Sequence, residues 1–195
     1  MRLVLICIML SEALIFPASA HTGLGPSNSF GSGVAHPLNG ADHLIAMTMV
    51  GLWSVFTGPR AVVVWPATFV AAMLCGFAAA SLGLQIAFVE PAICWSVVLL
   101  GVFVALGVRA PVALGAVIVG LFALLHGHAH GTEAAAAKLI PYAAGFALAT
   151  SALLAVGIGA GFCVRGLVGG LLLRAAGGCA AVVGLSLLGG RRDPW

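Results

Sequence analysis

The sequence predicts an all-α, polytopic membrane helix bundle, and its composition and apolar segments are the observations that predict it. Hydrophobic residues occupy 62% of the 195 positions, charged residues only 7%, and the mean hydropathy is +1.19. A water-soluble domain would not expose so apolar a surface without aggregating. Because a spanning helix needs roughly 20 apolar residues, six or so helices leave almost no length for a separate domain.

The charge pattern excludes one class of partner. The net charge of +3 comes from eight Lys and Arg residues, which are scattered singly apart from the pair Arg191 and Arg192. Nucleic-acid-binding proteins concentrate basic side chains on one face. We therefore exclude nucleic acid and expect the lipid bilayer and a small substrate as partners.

The first 20 residues have the pattern of a cleavable signal peptide. Arg2 precedes an apolar stretch, and Ala18-Ser19-Ala20 supplies small residues for cleavage. An uncleaved signal anchor is the alternative. We expect a signal peptide at 1–20 and a single transmembrane domain at 21–195, in a bacterial inner membrane with the mature N-terminus in the periplasm.

Six hydrophobic segments follow, at 34–57, 61–83, 91–109, 112–130, 139–162 and 169–189. Pro59, Pro91 and Arg109 occur where segments begin or end, as expected of residues that stop a spanning helix. Three spans followed by three of opposite orientation would suit a 3+3 inverted repeat, although the halves share no clear sequence similarity. Trp53 and Trp65 are expected at the cytoplasmic interface, where aromatic side chains are enriched.

The histidines identify the candidate site. They occur at three places in the chain: His21 at the mature N-terminus, His36 and His43 in the first span, and His126, His128 and His130 at the end of the fourth. Asp42 beside His43 is costly in an apolar segment unless it is paired or bound to a cation. The clustering predicts a functional site among the helices.

Two arrangements of the first histidine pair are open. His36 and His43 are seven residues apart, so a continuous helix would separate them by about 10 Å along its axis. Pro37 and Gly40 lie between them and are residues that break helices. Either the donors are successive stops on a path, or a distorted helix brings them together. Met47 follows His43 by four residues and is expected to pack, with a soft-ligand role as the alternative.

The fourth span supplies the second set of donors. His126, His130 and Glu133 share one helical face, and His128 points roughly the other way. Imidazole nitrogens with carboxylate oxygens suit Ni²⁺, Co²⁺, Zn²⁺ or Cu²⁺, whereas Ca²⁺ and Mg²⁺ prefer oxygen alone. Glu133 has the alternative role of a loop cap. The pattern indicates a divalent transition metal.

Successive spans cross the membrane in alternating directions, and this places both sets of donors on one side of the membrane. The first span runs inward and has its histidines from its start onward, whereas the fourth runs outward and has them at its end. Glu90, which ends the second span, also lies outside and is a weaker candidate, as are His21 and His128. We expect a cation to be collected outside, passed to Asp42 and His43, and released inward.

These residues resemble the HupE/UreJ family of bacterial nickel permeases over nearly the whole chain. The resemblance rests on His36-x5-Asp42-His43 followed by AMTMVGLWS, and on HGxAHGxE at 126–133. The stretches His21-Thr22-Gly23 and Val89-Glu90-Pro91 also resemble the family.

The resemblance implies a six-span secondary permease, not an enzyme, that admits Ni²⁺ and sometimes Co²⁺ without ATP and without a tightly bound cofactor. It implies that transport needs a set of six residues: His36, Asp42, His43, His126, His130 and Glu133. It further implies delivery of the metal to the maturation of hydrogenase or urease.

Two other functions use the same residue types. A membrane-embedded zinc hydrolase would hold a catalytic water on its metal, although no HExxH motif occurs. A haem protein would need well-separated histidines deep in two helices rather than a cluster at a helix end.

Overall fold

The computed structural model describes residues 30–133, 139–164 and 170–190, which form seven α-helices. In chain order the helices are α1 (Phe30–Asn39), α2 (Ala41–Thr57), α3 (Pro59–Ser81), α4 (Val89–Leu106), α5 (Val112–Glu133), α6 (Leu139–Val164) and α7 (Gly170–Gly190). The predicted signal peptide and His21 lie outside the described residues. No strand occurs within the described ranges, so the all-α prediction is confirmed there.

Helices α3 to α7 are each long and apolar enough to cross a membrane. The helix α2 is apolar but shorter, with 17 residues. The chain is therefore a multi-pass membrane protein by the length and composition of its helices. The sixth span, the signal peptide and the inverted repeat stay predictions.

The predicted first span is not one helix but two, divided at Gly40. Pro37 lacks an amide hydrogen, and Gly40 has an extended backbone with φ −97° and ψ 117°. The chain therefore leaves the helical path and begins a new helix at Ala41. This correction matters for the site, because His36 and His43 lie on either side of the break.

Close helix pairs are held together by glycine. Helix α3 packs along α5, α4 along α7, and both α1 and α2 along α6. A Cβ atom at Gly127 would fall against the carbonyl oxygen of Met73, and one at Gly157 against the carbonyl of Thr48. Small residues let backbones approach in a bilayer, where apolar attraction between helices is weak. Gly159 and Gly178 make no such close contact, because nothing lies within 4 Å of a Cβ atom at either position.

The expectation that the Trp53 and Trp65 side chains lie at the membrane interface is wrong. Their side chains are buried, at 1% and 0% exposed, and their rings pack together with centroids 4.3 Å apart. The Trp53 Nε1–H donates to the carbonyl of Val108, and the Trp65 Nε1–H to that of Val112, each at 2.9 Å. The indoles therefore lie inside the bundle and not at the lipid interface, because carbonyls of the α4–α5 loop and of the first residue of α5 accept their hydrogen bonds there.

These contacts define the two ends of the bundle. We call the end with Trp53, Trp65 and the α4–α5 loop the tryptophan end, and the opposite end the histidine end. Gly51 of α2 lies against Leu154 of α6, and Val55 of α2 lies against Gly161 of α6, so α2 and α6 run in the same direction, toward the tryptophan end.

Candidate metal centre

The break at Gly40 brings the first two histidines together. His36 lies in the last turn of α1 and His43 in the first turn of α2, with ring centroids 6.2 Å apart. A continuous helix would have placed them about 10 Å apart along its axis. Of the two arrangements left open by the sequence, the structure has the distorted helix.

Two histidines of α5 complete the cluster. The His130 ring lies between the first pair, with its centroid 4.2 Å from that of His36 and 4.5 Å from that of His43. The Nε2 atoms of His43 and His130 contact each other directly. His126 lies one turn earlier in α5, 5.1 Å from the His43 ring. Imidazoles from two distant segments therefore converge at one point, as the sequence predicted.

Asp42 fixes the orientation of the His43 ring. Its Oδ1 accepts hydrogen bonds from the His43 Nδ1 at 2.7 Å and from the His43 backbone N–H at 2.9 Å. Carboxylates hold the histidine ligands of metal sites in the same way, because the bond fixes the tautomer and raises the basicity of the other nitrogen. Here that other nitrogen is Nε2, which faces His130.

The His126 ring presents a bare nitrogen inside the bundle. Its Nδ1–H donates to the Phe122 carbonyl at 2.8 Å, so in the neutral ring Nε2 holds a lone pair. That Nε2 has no hydrogen-bond partner among the described residues, and the side chain is fully buried. Buried polar atoms are rarely left unsatisfied, and a bound cation is one explanation for such an atom.

Aromatic rings enclose the cluster. Phe146 lies 4.7 Å from the His130 ring, Tyr142 lies 6.1 Å from His36, and Phe69 lies 6.1 Å from His126. These walls exclude water and strengthen electrostatic interactions within the cluster. The sequence did not single them out, because an aromatic residue in an apolar segment has no signal that distinguishes a site wall from lipid-facing packing.

His128, one of the weaker candidates, lies apart from the cluster. His128 is buried, and its Nε2–H donates to the Leu84 carbonyl at 2.8 Å, so its ring points toward the α3–α4 loop. Glu90 lies exposed in the first turn of α4. Glu133 is the last residue of α5, and His21 lies outside the described residues.

The cluster is not a finished coordination shell. Within the described ranges, no three His, Cys, Asp or Glu side chains are arranged as a ready-made metal-binding group. The imidazoles instead contact one another. A cation at this point would have to take the place of the contact between His43 and His130.

Comparison with known proteins places the chain in a family. The profile described as "HupE / UreJ protein" matches residues 8–187. The chain belongs to the HupE/UreJ family. It is also 39% identical to "Protein HupE" of Rhizobium leguminosarum bv. viciae over 181 residues, which cover 91% of this chain and 94% of that protein. No solved structure matches it.

Membership of the HupE/UreJ family confirms the resemblance inferred from the two motifs. The family is associated with nickel and cobalt transport. Both motifs lie on the helices that meet in the histidine cluster, α1 and α2 for the first and α5 for the second. Neither the family nor the described residues support the alternative of a zinc hydrolase.

Proposed function

We propose that this HupE/UreJ protein is a secondary permease that imports a divalent transition metal, foremost Ni²⁺ and then Co²⁺, from periplasm to cytoplasm. The convergence of His36, His43, His126 and His130 is the observation that carries the proposal. The proposal includes six spans in the bacterial inner membrane and a periplasmic N-terminus. The metal is cargo, and no cofactor or catalysis is required.

The donors suit this cargo. The imidazole nitrogens of His43, His126 and His130 are borderline ligands that bind Ni²⁺ and Co²⁺ well. Asp42 supplies a negative charge beside them, which offsets part of the cost of bringing a dication into an apolar surrounding. Glu133, at the end of the same helix as His130, is proposed as a further donor from the family motif.

The contact between His43 and His130 explains how a strong donor set can release its cargo. When the ion leaves, the two rings hydrogen bond to each other again, so neither nitrogen is left unsatisfied. This competing bond lowers the net affinity for metal. Conduction requires such reversible binding, because an ion that binds too tightly does not move on.

Uptake of radioactive nickel into cells tests the proposal. We expect His43→Ala and His130→Ala to abolish accumulation at wild-type membrane abundance, because each removes a converging nitrogen. His128→Gln is the matched control, since this ring points to Leu84 and glutamine retains an N–H donor. Uptake by His43→Ala equal to that of the control would contradict the proposal.

Reconstituted vesicles identify the metal and the driving force. Competition among Ni²⁺, Co²⁺ and Zn²⁺, with and without a pH gradient, distinguishes facilitated diffusion from proton-coupled transport. A permease is expected to lose metal on purification, whereas a hydrolase would retain about one zinc per chain. Supply of the metal to hydrogenase or urease maturation is proposed on the family resemblance.

A further inference from the structure

A sulfur–hydroxyl pair lies buried beside the histidine cluster. Thr150 Oγ1 of α6 donates a hydrogen bond to Met73 Sδ of α3 at 3.4 Å, and both side chains are fully buried. Hydroxyls in helices usually donate to a carbonyl of their own helix, as Ser54 does to Gly51 and Ser96 to Ile93. Of the buried serine and threonine side chains, Ser54 and Ser96 bond within their own helices, whereas Thr150 bonds to another helix.

The pair lies on the inner side of the cluster. Thr150 follows Phe146 by one turn, and Phe146 contacts the His130 ring. Because α6 runs toward the tryptophan end, this turn leads away from the histidine end by about 6 Å. The backbone of Met73 lies against Gly127, which is the neighbour of His126 in α5.

Met47 reaches the same depth from α2. It is one helical turn beyond His43 on the same face, it is fully buried, and it belongs to the same apolar core as Met73. Three helices therefore present a sulfur or a hydroxyl about one turn inward of the His43 and His130 rings, at the depth of His126.

We propose that Met47, Met73 and Thr150 form a second, transient cation-binding site, which we call the second stop. It would receive a borderline transition-metal ion from the histidine cluster. This inference rests on the transport function proposed above and deepens it. A thioether is a weak hydrogen-bond acceptor, so the bond from Thr150 to Met73 is easily given up. The Thr150 hydroxyl rotates, and its oxygen lone pairs then face the ion together with the two sulfurs.

The chemistry of these donors suits a transit site. Thioethers and a hydroxyl are neutral and bind more weakly than imidazoles beside a carboxylate, so the ion does not stay. Mg²⁺ and Ca²⁺ require several oxygen ligands and gain little from sulfur. The second stop therefore provides selectivity as well as a path, because successive weak sites favour conduction.

The test separates transport through the second stop from binding at the first. Met73→Leu and Thr150→Val remove the donor atoms with little change in volume, and Met49→Leu, at 8% exposed, is the matched control. Saturating nickel uptake into vesicles and equilibrium nickel binding to purified protein are measured, each per folded molecule from the monodisperse fraction. We expect uptake by the first two variants to fall by about fivefold to tenfold, with unchanged equilibrium binding at the histidines. Thr150→Ser, which keeps the hydroxyl, is expected to transport like the wild type.

Each outcome bears on one proposal. Wild-type uptake rates in Met73→Leu and Thr150→Val would overturn the second stop, and so would a loss of thermal stability without a loss of uptake, since the pair would then only join two helices. A loss in Met49→Leu equal to that in Met73→Leu would also overturn it. Failure of the wild-type protein itself to transport nickel would instead refute the proposed function.

Discussion

His43 and His130 are 87 residues apart in sequence, yet their Nε2 atoms meet inside the bundle. In the tautomer in which the His43 Nδ1–H donates to Asp42, the His43 Nε2 accepts the hydrogen bond and His130 donates it. A cation between the rings needs a lone pair from both nitrogens. The proton on His130 Nε2 must therefore leave that nitrogen whenever metal binds.

Acidification is expected to slow metal uptake. Protons and metal ions compete for the same imidazole nitrogens, so a lower pH favours the protonated, metal-free cluster. Initial rates in vesicles with equal pH on both sides, at fixed free Ni²⁺, should fall between about pH 7.5 and about pH 5.5. A rate that stays constant or rises over this range would contradict metal binding by imidazole.

Asp42→Asn is expected to reduce nickel uptake by about tenfold to a hundredfold, as loss of a supporting carboxylate does at other metal sites. The asparagine carbonyl still accepts from His43, so the ring orientation survives while the negative charge is lost. Membrane abundance should not change. Asp42→Asn transporting at the wild-type rate would show that the charge is not needed.

Gly40→Ala tests the break between α1 and α2. The backbone at Gly40 suits alanine, but the added Cβ would lie 2.8 Å from Asp42 Oδ1 and 2.9 Å from His43 Nδ1. We expect severalfold lower nickel uptake at normal membrane abundance, because the Asp42 carboxylate and the His43 ring must both move away from the added Cβ atom. Gly159→Ala, in open space, serves as the control. Equal uptake by both variants would mean that the site tolerates this displacement.

Gly127→Ala is expected to destabilise the fold. Its Cβ would collide with the Met73 carbonyl and push α5 away from α3, at a cost of about 1–3 kcal/mol. Thermal unfolding in detergent measures the effect. Gly178→Ala adds the same atom where nothing lies within 4 Å and should be neutral. Identical melting temperatures for the two variants would contradict the close packing of α3 on α5.

Trp53→Phe removes the donor to Val108 while keeping an aromatic ring. The stability loss should be about 1–3 kcal/mol, because a carbonyl inside the bundle loses its partner. Trp95→Phe, at 51% exposed, is the matched control. The melting temperatures of the two variants are compared, and protease cleavage in the α4–α5 loop reports local loosening. No difference between the variants would indicate that the indole bond does not stabilise this end.

Much of the fold follows from patterns of apolar residues. The long apolar segments predict spanning helices because the bilayer requires internally bonded backbone, and α3 begins at Pro59, a residue suited to the first helical position. The break at Gly40 was open in the sequence, since proline and glycine also occur inside membrane helices. The burial of Trp53 was missed, because an interfacial and a buried indole have the same local sequence.

The donor types and their positions along each helix can be read directly from the sequence, because a histidine, an aspartate or a helical spacing is a local property of the chain. Which donors meet depends on how the helices pack. Close contact through Gly127 and Gly51 and the break at Gly40 place His36, His43, His126 and His130 at one point. The same packing places Thr150 against Met73, two residues that are 77 positions apart in the sequence, and no local pattern encodes this contact.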